Sequence, residues 1–302
     1  MAKIAAGLER ALAQRLESGS PGTMTGRVLA AGNGWMVRDV VCTCTRHDHP
    51  FEEQHTDVAV AVVLAGTFQY RSDDLQGIRT ELMVPGMLLL GNPGQYFECA
   101  HDHAKGDRCL SFQYRAEYFA RLGDDLGVKA EFPVLRLPAA RQLSPIVTKG
   151  YAGLTRAEED VEFWEETALH LAAEALGFAQ AMDNRERATP PPSAVRSVAK
   201  AVRHVEREAD GRATLAGLAQ AAGVSPYHFL RIFEQLTGVT PHQYVRRLRL
   251  REAALRLATE TSKVVDIALE SGFGDVSNFN RSFRAEFGVN PRAYREGSRV
   301  VL

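Results

Sequence analysis

The sequence has no run of eighteen apolar residues, only four cysteines among 302 residues, and a net charge of −1. The missing apolar run excludes a membrane-spanning helix, so no membrane partner is expected. Residues 1–17 place Glu9 and Glu17 among alanines and lack the apolar core of a secretion signal, which predicts a cytoplasmic protein. In that compartment the four cysteines should be reduced thiols rather than disulfides.

The small net charge hides an uneven distribution along the chain. Residues 193–302 carry 17 Lys and Arg against 11 Asp and Glu, whereas the remaining residues carry 19 against 26. A chain of this length has room for two domains, each with its own core. A basic domain joined to an acidic one is typical of a DNA-binding part attached to a part with another role.

The last eighty residues contain an internal duplication. Residues 218–233 align with residues 267–283, with glycines and phenylalanines at equivalent places. The alignment continues through residues 238–244 and 288–294, where Gly, Val, Pro and Tyr recur at an offset of 50. Such a repeat identifies one structural unit that is present twice.

Each copy is predicted to form two helices joined by a glycine turn. Gly223 and Gly272 end the first helices, because glycine can adopt the left-handed conformation that a tight turn requires. The second helices begin after an N-cap, which is Ser225 in one copy and Asp275 in the other. Apolar residues then recur on one face of each second helix: Phe229, Ile232, Phe233 and Leu236; Phe279, Phe283 and Phe287. This is the plan of the helix-turn-helix motif, whose second helix enters the major groove of DNA.

The segment GFGDVSNFNRSFRAEFGVNPRAYR at residues 272–295 resembles the signature stretch of the AraC/XylS family of bacterial transcription regulators. The resemblance covers roughly the last third of the chain and has glycines, phenylalanines, proline and a Tyr-Arg pair at the family spacing. It implies two helix-turn-helix units, joined by a long helix, that read successive major-groove segments of double-stranded DNA. RNA polymerase is a further expected partner, and the protein is not expected to be an enzyme.

The resemblance also implies which residues contact bases. By position they are Tyr227, Leu230 and Arg231 in the first copy, and Val276, Ser277, Asn278 and Arg281 in the second. Leu230 and Val276 differ from the polar residues often found at these places. Their side chains can touch a thymine methyl group but cannot form a hydrogen bond to a base edge.

The joining helix is predicted from Pro241 to about Ala258. It carries four arginines: Arg246, Arg247, Arg249 and Arg251. Arg246 and Arg249 are the candidate phosphate contacts, although a solvated helix face explains such arginines equally well.

The N-terminal part has a different pattern. Residues 1–17 predict a short helix with an apolar residue at every fourth position, and short β-type runs follow between residues 27 and 114. Closely spaced strands predict a small antiparallel barrel or jelly roll. The family resemblance implies a cupin-like barrel here that binds an effector. His47-x-His49-x-x-x-Glu53 looks like part of a cupin pattern, with a longer gap to the next glycine than that pattern has.

These patterns predict an α+β multidomain fold with an N-terminal cupin-like β-barrel and a C-terminal all-α double helix-turn-helix. The predicted parts are a helical arm (1–22), a cupin-like sensor domain (23–137), a helical dimerisation segment (138–183), a linker (184–192) and a DNA-binding domain (193–302), whose first helix is capped by Ser193 and runs to about Ala209. The apolar face of the dimerisation segment, which includes Trp164, must be buried either against a second copy in a homodimer or against its own barrel.

All four cysteines and five of the nine histidines lie between residues 42 and 109. Cys42 and Cys44 are two apart on a predicted strand, so both point to one face, roughly 6.5 Å apart, a spacing that favours chelation over a disulfide. The candidate effector contacts are Cys42, Cys44, His47, His49, Glu53, Cys99 and His101. A metal or thiol sensor and cysteines that only fill the core both remain open, and no defined zinc motif matches.

The leading interpretation is a sequence-specific transcription regulator, dimeric, whose barrel senses a small molecule, with no cofactor predicted. A second is a cupin-type metalloenzyme fused to a DNA-binding tail, with His47, His49, Glu53 and His101 as metal ligands. A third is a DNA-repair or alkyl-sensing thiol protein. Bound iron with turnover would support the second, and irreversible methylation of one cysteine the third. The effector, the operator and the sign of regulation are not assigned by the sequence.

Overall fold

The computed structural model describes residues 2–49, 51–74, 77–102, 105–155, 161–182, 190–207 and 213–300. The part before residue 138 is rich in strands and the part after residue 192 is helical, which confirms the predicted mixed fold class. Most of the linker predicted at residues 184–192 lies outside the described residues, as do His103 and the predicted helix end near Ala209.

Within the described residues ten strands form two antiparallel sheets. They are β1 (Met24–Gly32), β2 (Trp35–Thr45), β3 (Phe51–Gln54), β4 (Val58–Gly66), β5 (Phe68–Asp74), β6 (Gly77–Met83), β7 (Leu88–Gly91), β8 (Tyr96–Ala100), β9 (Lys105–Tyr114) and β10 (Arg136–Leu137). The larger sheet has the order β1-β2-β9-β4-β7-β10 and the smaller one β3-β8-β5-β6. The closely spaced antiparallel strands agree with the sequence, whereas the cupin-like identity of this part remains a prediction.

Strand β4 lies inside the larger sheet between β9 and β7. Its residues from Val58 to Ala65 are all buried, because both faces of the strand are covered. Such a strand reads as a continuous apolar run instead of an alternating one. The Tyr151 hydroxyl donates a hydrogen bond to the Leu64 carbonyl at 3.0 Å, which ties a helix to this strand.

In the described ranges of this part, four helices pack around the sheets: α1 (Ala2–Ser18), α2 (Ala116–Leu126), α3 (Ser144–Gly153) and α4 (Val161–Ala181). Trp164, Leu171 and Leu176 of α4 are buried in the core of the larger sheet, and the Tyr114 hydroxyl donates to the Ala168 carbonyl at 2.7 Å. These three apolar residues of the predicted dimerisation segment therefore pack on the chain's own sheet. Homodimerisation remains a prediction.

The C-terminal part contains seven helices among the described residues: α5 (Pro192–Arg207), α6 (Leu215–Ala222), α7 (Pro226–Thr237), α8 (Pro241–Thr259), α9 (Val264–Glu270), α10 (Val276–Phe287) and α11 (Pro291–Val300). Helix α8 is the predicted joining helix. Helix α5 begins at Pro192, so the prediction that Ser193 caps it is wrong. The fixed φ of proline suits the first position of a helix, which moves the start one residue earlier. No helix in the described ranges combines the length and apolarity needed to cross a membrane.

Candidate nucleic-acid interface

The two helix-turn-helix units share their local chemistry. Gly223 ends α6 with a φ of +74°, and Gly272 follows α9 with a φ of +81°, conformations that glycine adopts without steric strain. The Ser225 hydroxyl accepts a hydrogen bond from the backbone N–H three residues on at 3.4 Å. The Asp275 carboxylate accepts the equivalent bond at 2.7 Å. These N-caps set the starts of α7 and α10 as the sequence predicts.

Removing the cap of the second unit should destabilise the helix that it begins. We expect Asp275→Ala to lower the free energy of unfolding by about 0.5–2 kcal/mol, because an N–H of the first turn of α10 loses its acceptor. Asp275→Asn keeps an acceptor oxygen and should retain most of the stability. Urea unfolding followed by circular dichroism measures both variants. An alanine variant as stable as the wild type would show that the cap is dispensable.

Equivalent aromatic contacts hold both second helices. Phe233 of α7 meets Tyr244 with ring centroids 5.5 Å apart, and Phe283 of α10 meets Tyr294 at 5.3 Å, both edge-on. The two pairs stand at the same places in the duplicated sequence. Edge-to-face packing at this distance is favourable, and burying the aromatic side of each helix leaves the opposite side toward solvent.

The solvent side of α7 and α10 carries the residues that the sequence assigned to base contact. This recognition face consists of Tyr227, Leu230, Arg231, Val276, Ser277, Asn278 and Arg281. Tyr227 is 72% exposed; Arg231, Ser277, Asn278 and Arg281 are also exposed, while Leu230 and Val276 are half-buried. Leu230 and Val276 therefore also pack partly against the helix-turn-helix unit to which each belongs. The structure brings the remaining polar groups to open surface, as an interface with a base edge requires.

Two further residues of α10 point to solvent and were not assigned from the sequence. Arg284 is exposed and lies three positions after Arg281, so both share one side of the helix. Asn280 is exposed beside them. Helical spacing counted from Arg281 is the signal that could have identified Arg284.

Two arginines of α8 face the N-terminal part of the chain. Arg251 is only 1% exposed, and its Nη2 donates to the Ser144 hydroxyl at 3.3 Å. Arg247 donates through Nη1 to the Ala139 carbonyl at 3.0 Å. Burial lowers the pKa of Arg251. The basic character of α8 therefore serves interdomain packing at these two positions.

The two arginines assigned to phosphate contact lie in different surroundings. Arg249 is half-buried and donates to the carbonyl of Gly272, the turn glycine of the second unit, at 3.2 Å. Arg246 is half-buried. Arg249 thus stabilises the turn of the second helix-turn-helix unit, a structural role that does not depend on DNA. Arg246 is therefore the better candidate of the two for a phosphate contact.

The C-terminal part contacts the N-terminal part at several points. Glu286 at the end of α10 is buried, accepts a hydrogen bond from the Ser144 hydroxyl, and lies 3.5 Å from Arg247 Nε. On the other side, the Gly66 N–H donates to the Glu206 carboxylate of α5 at 2.9 Å. A cleft of about 820 Å³ opens between the parts, lined among others by Arg141, Phe178, Arg247 and Glu286. A movement between the two parts would alter these contacts.

The candidate effector residues fall into two groups. His47, His49 and Glu53 are exposed, in the turn after β2 and on β3, and Cys99 is half-buried on β8. Cys42, Cys44 and His101 are buried. The structure does not gather the residues of the partial cupin pattern into one enclosed site.

The buried group includes one residue that the sequence did not identify. Asp107 lies opposite Cys42 in the register of β2 and β9, and it contacts His101 Nε2 at 2.7 Å. Cys109 donates to the second Asp107 oxygen at 3.3 Å. Burial, together with the negative charge of Asp107, raises the pKa of the Cys42 and Cys109 thiols. Only the strand register, which is not visible in the sequence, could have placed Asp107 here.

Comparison with known proteins gives matches to transcription regulators. The family described as "Helix-turn-helix domain" matches residues 218–297. The HTH-type transcriptional activator AarP of Providencia stuartii is 35% identical over 91 residues, which are 30% of this chain and 67% of that protein. The HTH-type transcriptional regulator Rv1931c of Mycobacterium tuberculosis is 39% identical over 88 residues, 29% of this chain and 34% of that protein.

Solved structures also match part of this chain. One is the DNA-binding domain of AdpA, described as the global transcriptional factor, in complex with a target DNA. It is 28% identical and has a TM-score of 0.34, and the match covers 35% of this chain and 95% of the AdpA domain.

The two sequence relatives are matched over only part of their length. The match to AarP spans two thirds of that protein, and the match to Rv1931c spans about one third.

Proposed function

Because the chain belongs to the AraC/XylS family and is a DNA-binding transcription regulator, we propose that it reads two successive major-groove segments with the recognition face. One observation carries this proposal. In each of two duplicated units the aromatic side of the second helix is buried, and the polar side, with Arg231 in one unit and Arg281 in the other, is exposed.

The side chains of the recognition face match the chemistry of base edges. Arg231 and Arg281 can each donate two hydrogen bonds to a guanine, and Asn278 can pair with an adenine. Leu230 and Val276 can offer only apolar contact to a thymine methyl group. Arg246 is proposed to meet phosphate, which fixes position on the duplex without reading sequence.

The N-terminal part is proposed to bind a small effector and to pass its effect to the reading units. The support is the direct attachment of the two parts, through Ser144 to Glu286 and through Gly66 to Glu206. An effector that binds one arrangement of the parts better than another shifts the equilibrium between them, and thereby the affinity for DNA.

A second copy of the chain and RNA polymerase are the further proposed partners. Leu169 of α4 is a large apolar side chain that is 40% exposed, which supports contact with a second copy. RNA polymerase follows from regulation at a promoter. We propose no catalytic role, since the matched relatives are named as transcription regulators.

Selection of genomic DNA fragments by the full-length protein tests the proposed reading. We expect enrichment of fragments that share one sequence, with an affinity that falls steeply with salt, because each neutralised phosphate contributes a slope of about −0.9 to log K against log salt. Fragments carried through the same steps without protein are the control. Binding at low salt with no common sequence above that control would contradict sequence-specific reading.

A further inference from the structure

The buried thiols and the His101–Asp107 pair lie apart from the DNA-reading surface, between β2, β9 and the chain just after β8. One ligand atom each from Cys42, His101 and Asp107 lie within 4.8 Å of one another. All three residues are buried, with 5%, 4% and 6% of their surface exposed. Among the described residues, this is the one group of three such side chains at this spacing.

Two further thiols adjoin the group. Cys109 lies two residues after Asp107 on β9 and hydrogen-bonds to its carboxylate at 3.3 Å. Cys44 is buried two residues after Cys42 on β2, and the two thiols interact. Each strand therefore carries a second thiol beside the group, although neither sulfur lies within 4.8 Å of all three ligand atoms.

The Asp107 carboxylate is withdrawn from water, and its hydrogen-bond partners are the His101 ring and the Cys109 thiol. A divalent cation at this place would attract the carboxylate and stabilise a deprotonated thiol. The negative charge of Asp107 would then neutralise part of the charge of the ion.

We propose that Cys42, His101 and Asp107 bind a divalent transition-metal ion of the zinc type, with Cys44 or Cys109 as the fourth ligand. Sulfur, imidazole nitrogen and carboxylate oxygen in a four-coordinate arrangement form the donor set that zinc prefers. Binding exchanges the thiol protons of Cys42 and of the fourth ligand for two metal–sulfur bonds, and both protons go to solvent. His101 and Asp107 need only separate from hydrogen-bonding distance to admit the ion between them.

The position of the site gives the metal ion a route to the DNA-binding part. Asp107 pairs with Gly66 across β9 and β4, and the Gly66 N–H donates to Glu206 of α5. The packing at Gly66 is tight, since an added Cβ would lie 2.8 Å from the Asp107 Cα. A shift of Asp107 toward a metal ion would therefore move Gly66 and change its hydrogen bond to Glu206 of α5. The effector role of the ion rests on the proposed sensing function; the metal site does not.

The test uses full-length protein without a histidine tag, dialysed against a chelator, with Zn²⁺ and Co²⁺ as probes. We expect one ion per chain, and an absorption spectrum of the Co²⁺ form with a thiolate-to-metal charge-transfer band. Cys42→Ser and Asp107→Asn should weaken Zn²⁺ binding by at least the roughly 10- to 100-fold that loss of a supporting partner costs. The matched control is His170→Gln, which removes an exposed imidazole of α4 outside the site and should bind Zn²⁺ as the wild type does.

A wild type that binds Zn²⁺ no more tightly than Cys42→Ser, or a Co²⁺ form without the thiolate band, would overturn the site. The spectrum needs only the wild type, so it decides the question even where a variant fails to fold. DNA affinity is then measured with and without Zn²⁺. An unchanged affinity of metal-binding protein would overturn the effector role alone. If the protein shows no sequence-specific DNA binding either with or without Zn²⁺, that result counts against the proposed function alone.

Discussion

Arg281→Ala should weaken binding to the selected operator by about 1–3 kcal/mol, roughly 5- to 150-fold, and relax the preference at one base pair. The reason is that an exposed guanidinium on the reading side of α10 can donate two parallel hydrogen bonds to a guanine, which alanine cannot replace. Arg231→Ala should have an effect of the same size at a different base pair, since it occupies the equivalent place in the first unit.

Competition between operator and random DNA distinguishes reading from charge attraction. The matched control is Arg196→Ala, which removes an exposed arginine of α5 outside the recognition face. Its loss should leave the ratio of operator to random affinity unchanged. If Arg231→Ala and Arg281→Ala weaken both kinds of DNA equally, these arginines are not base contacts.

Glu286→Ala should lower the free energy of unfolding by about 3–5 kcal/mol, the usual effect of removing one partner from a buried ion pair. Glu286 is a buried carboxylate 3.5 Å from Arg247 Nε of α8, and its charge also acts on the fully buried Arg251. Without Glu286 both guanidinium groups remain withdrawn from water and lose their compensation.

Glu270→Ala is the control for this substitution. It breaks the Arg256–Glu270 pair, in which the Glu270 side chain is 60% exposed, and should change stability by at most about 1 kcal/mol. Urea unfolding of both variants, followed by circular dichroism, makes the comparison. A Glu286 variant no less stable than the Glu270 variant would show that the junction between the parts contributes little.

The reading units could be predicted because their determinants are local. A glycine turn, an N-cap and apolar residues at helical spacing act within about a dozen residues. The duplication made the prediction firmer, because Phe233 and Phe283 stand at equivalent positions and both had to be buried on the core side of their helices. The exposed faces of α7 and α10 followed once the buried faces were known.

The junction could not be predicted, because it depends on contacts distant in the chain. Arg247 and Arg251 looked like members of a solvated helix face, but they bond to Ala139 and Ser144, more than a hundred residues earlier. Burial of an arginine is decided by the surface that packs against it, and the helical period alone does not reveal that surface.

Only part of the group Cys42, His101 and Asp107 could be predicted, because one of its members is brought in by a contact distant in the chain. The spacing of Cys42 and Cys44 placed both thiols on one strand, and both are buried. Asp107 joined them only through the register of β2 against β9. His47 and Glu53 of the partial cupin pattern are exposed, in a turn and on the edge strand β3, a difference in surroundings that sequence spacing does not reveal. Their contact with an effector remains a prediction.

The reading of DNA by both units of one chain is tested most directly by a hydroxyl-radical footprint of the full-length protein on a selected fragment. We predict two protected windows on one face of the duplex, with centres about 10 bp apart, one helical turn. Base preference should change in one window for Arg231→Ala and in the other for Arg281→Ala. A single protected window, or two variants that alter the same base pair, would contradict the account.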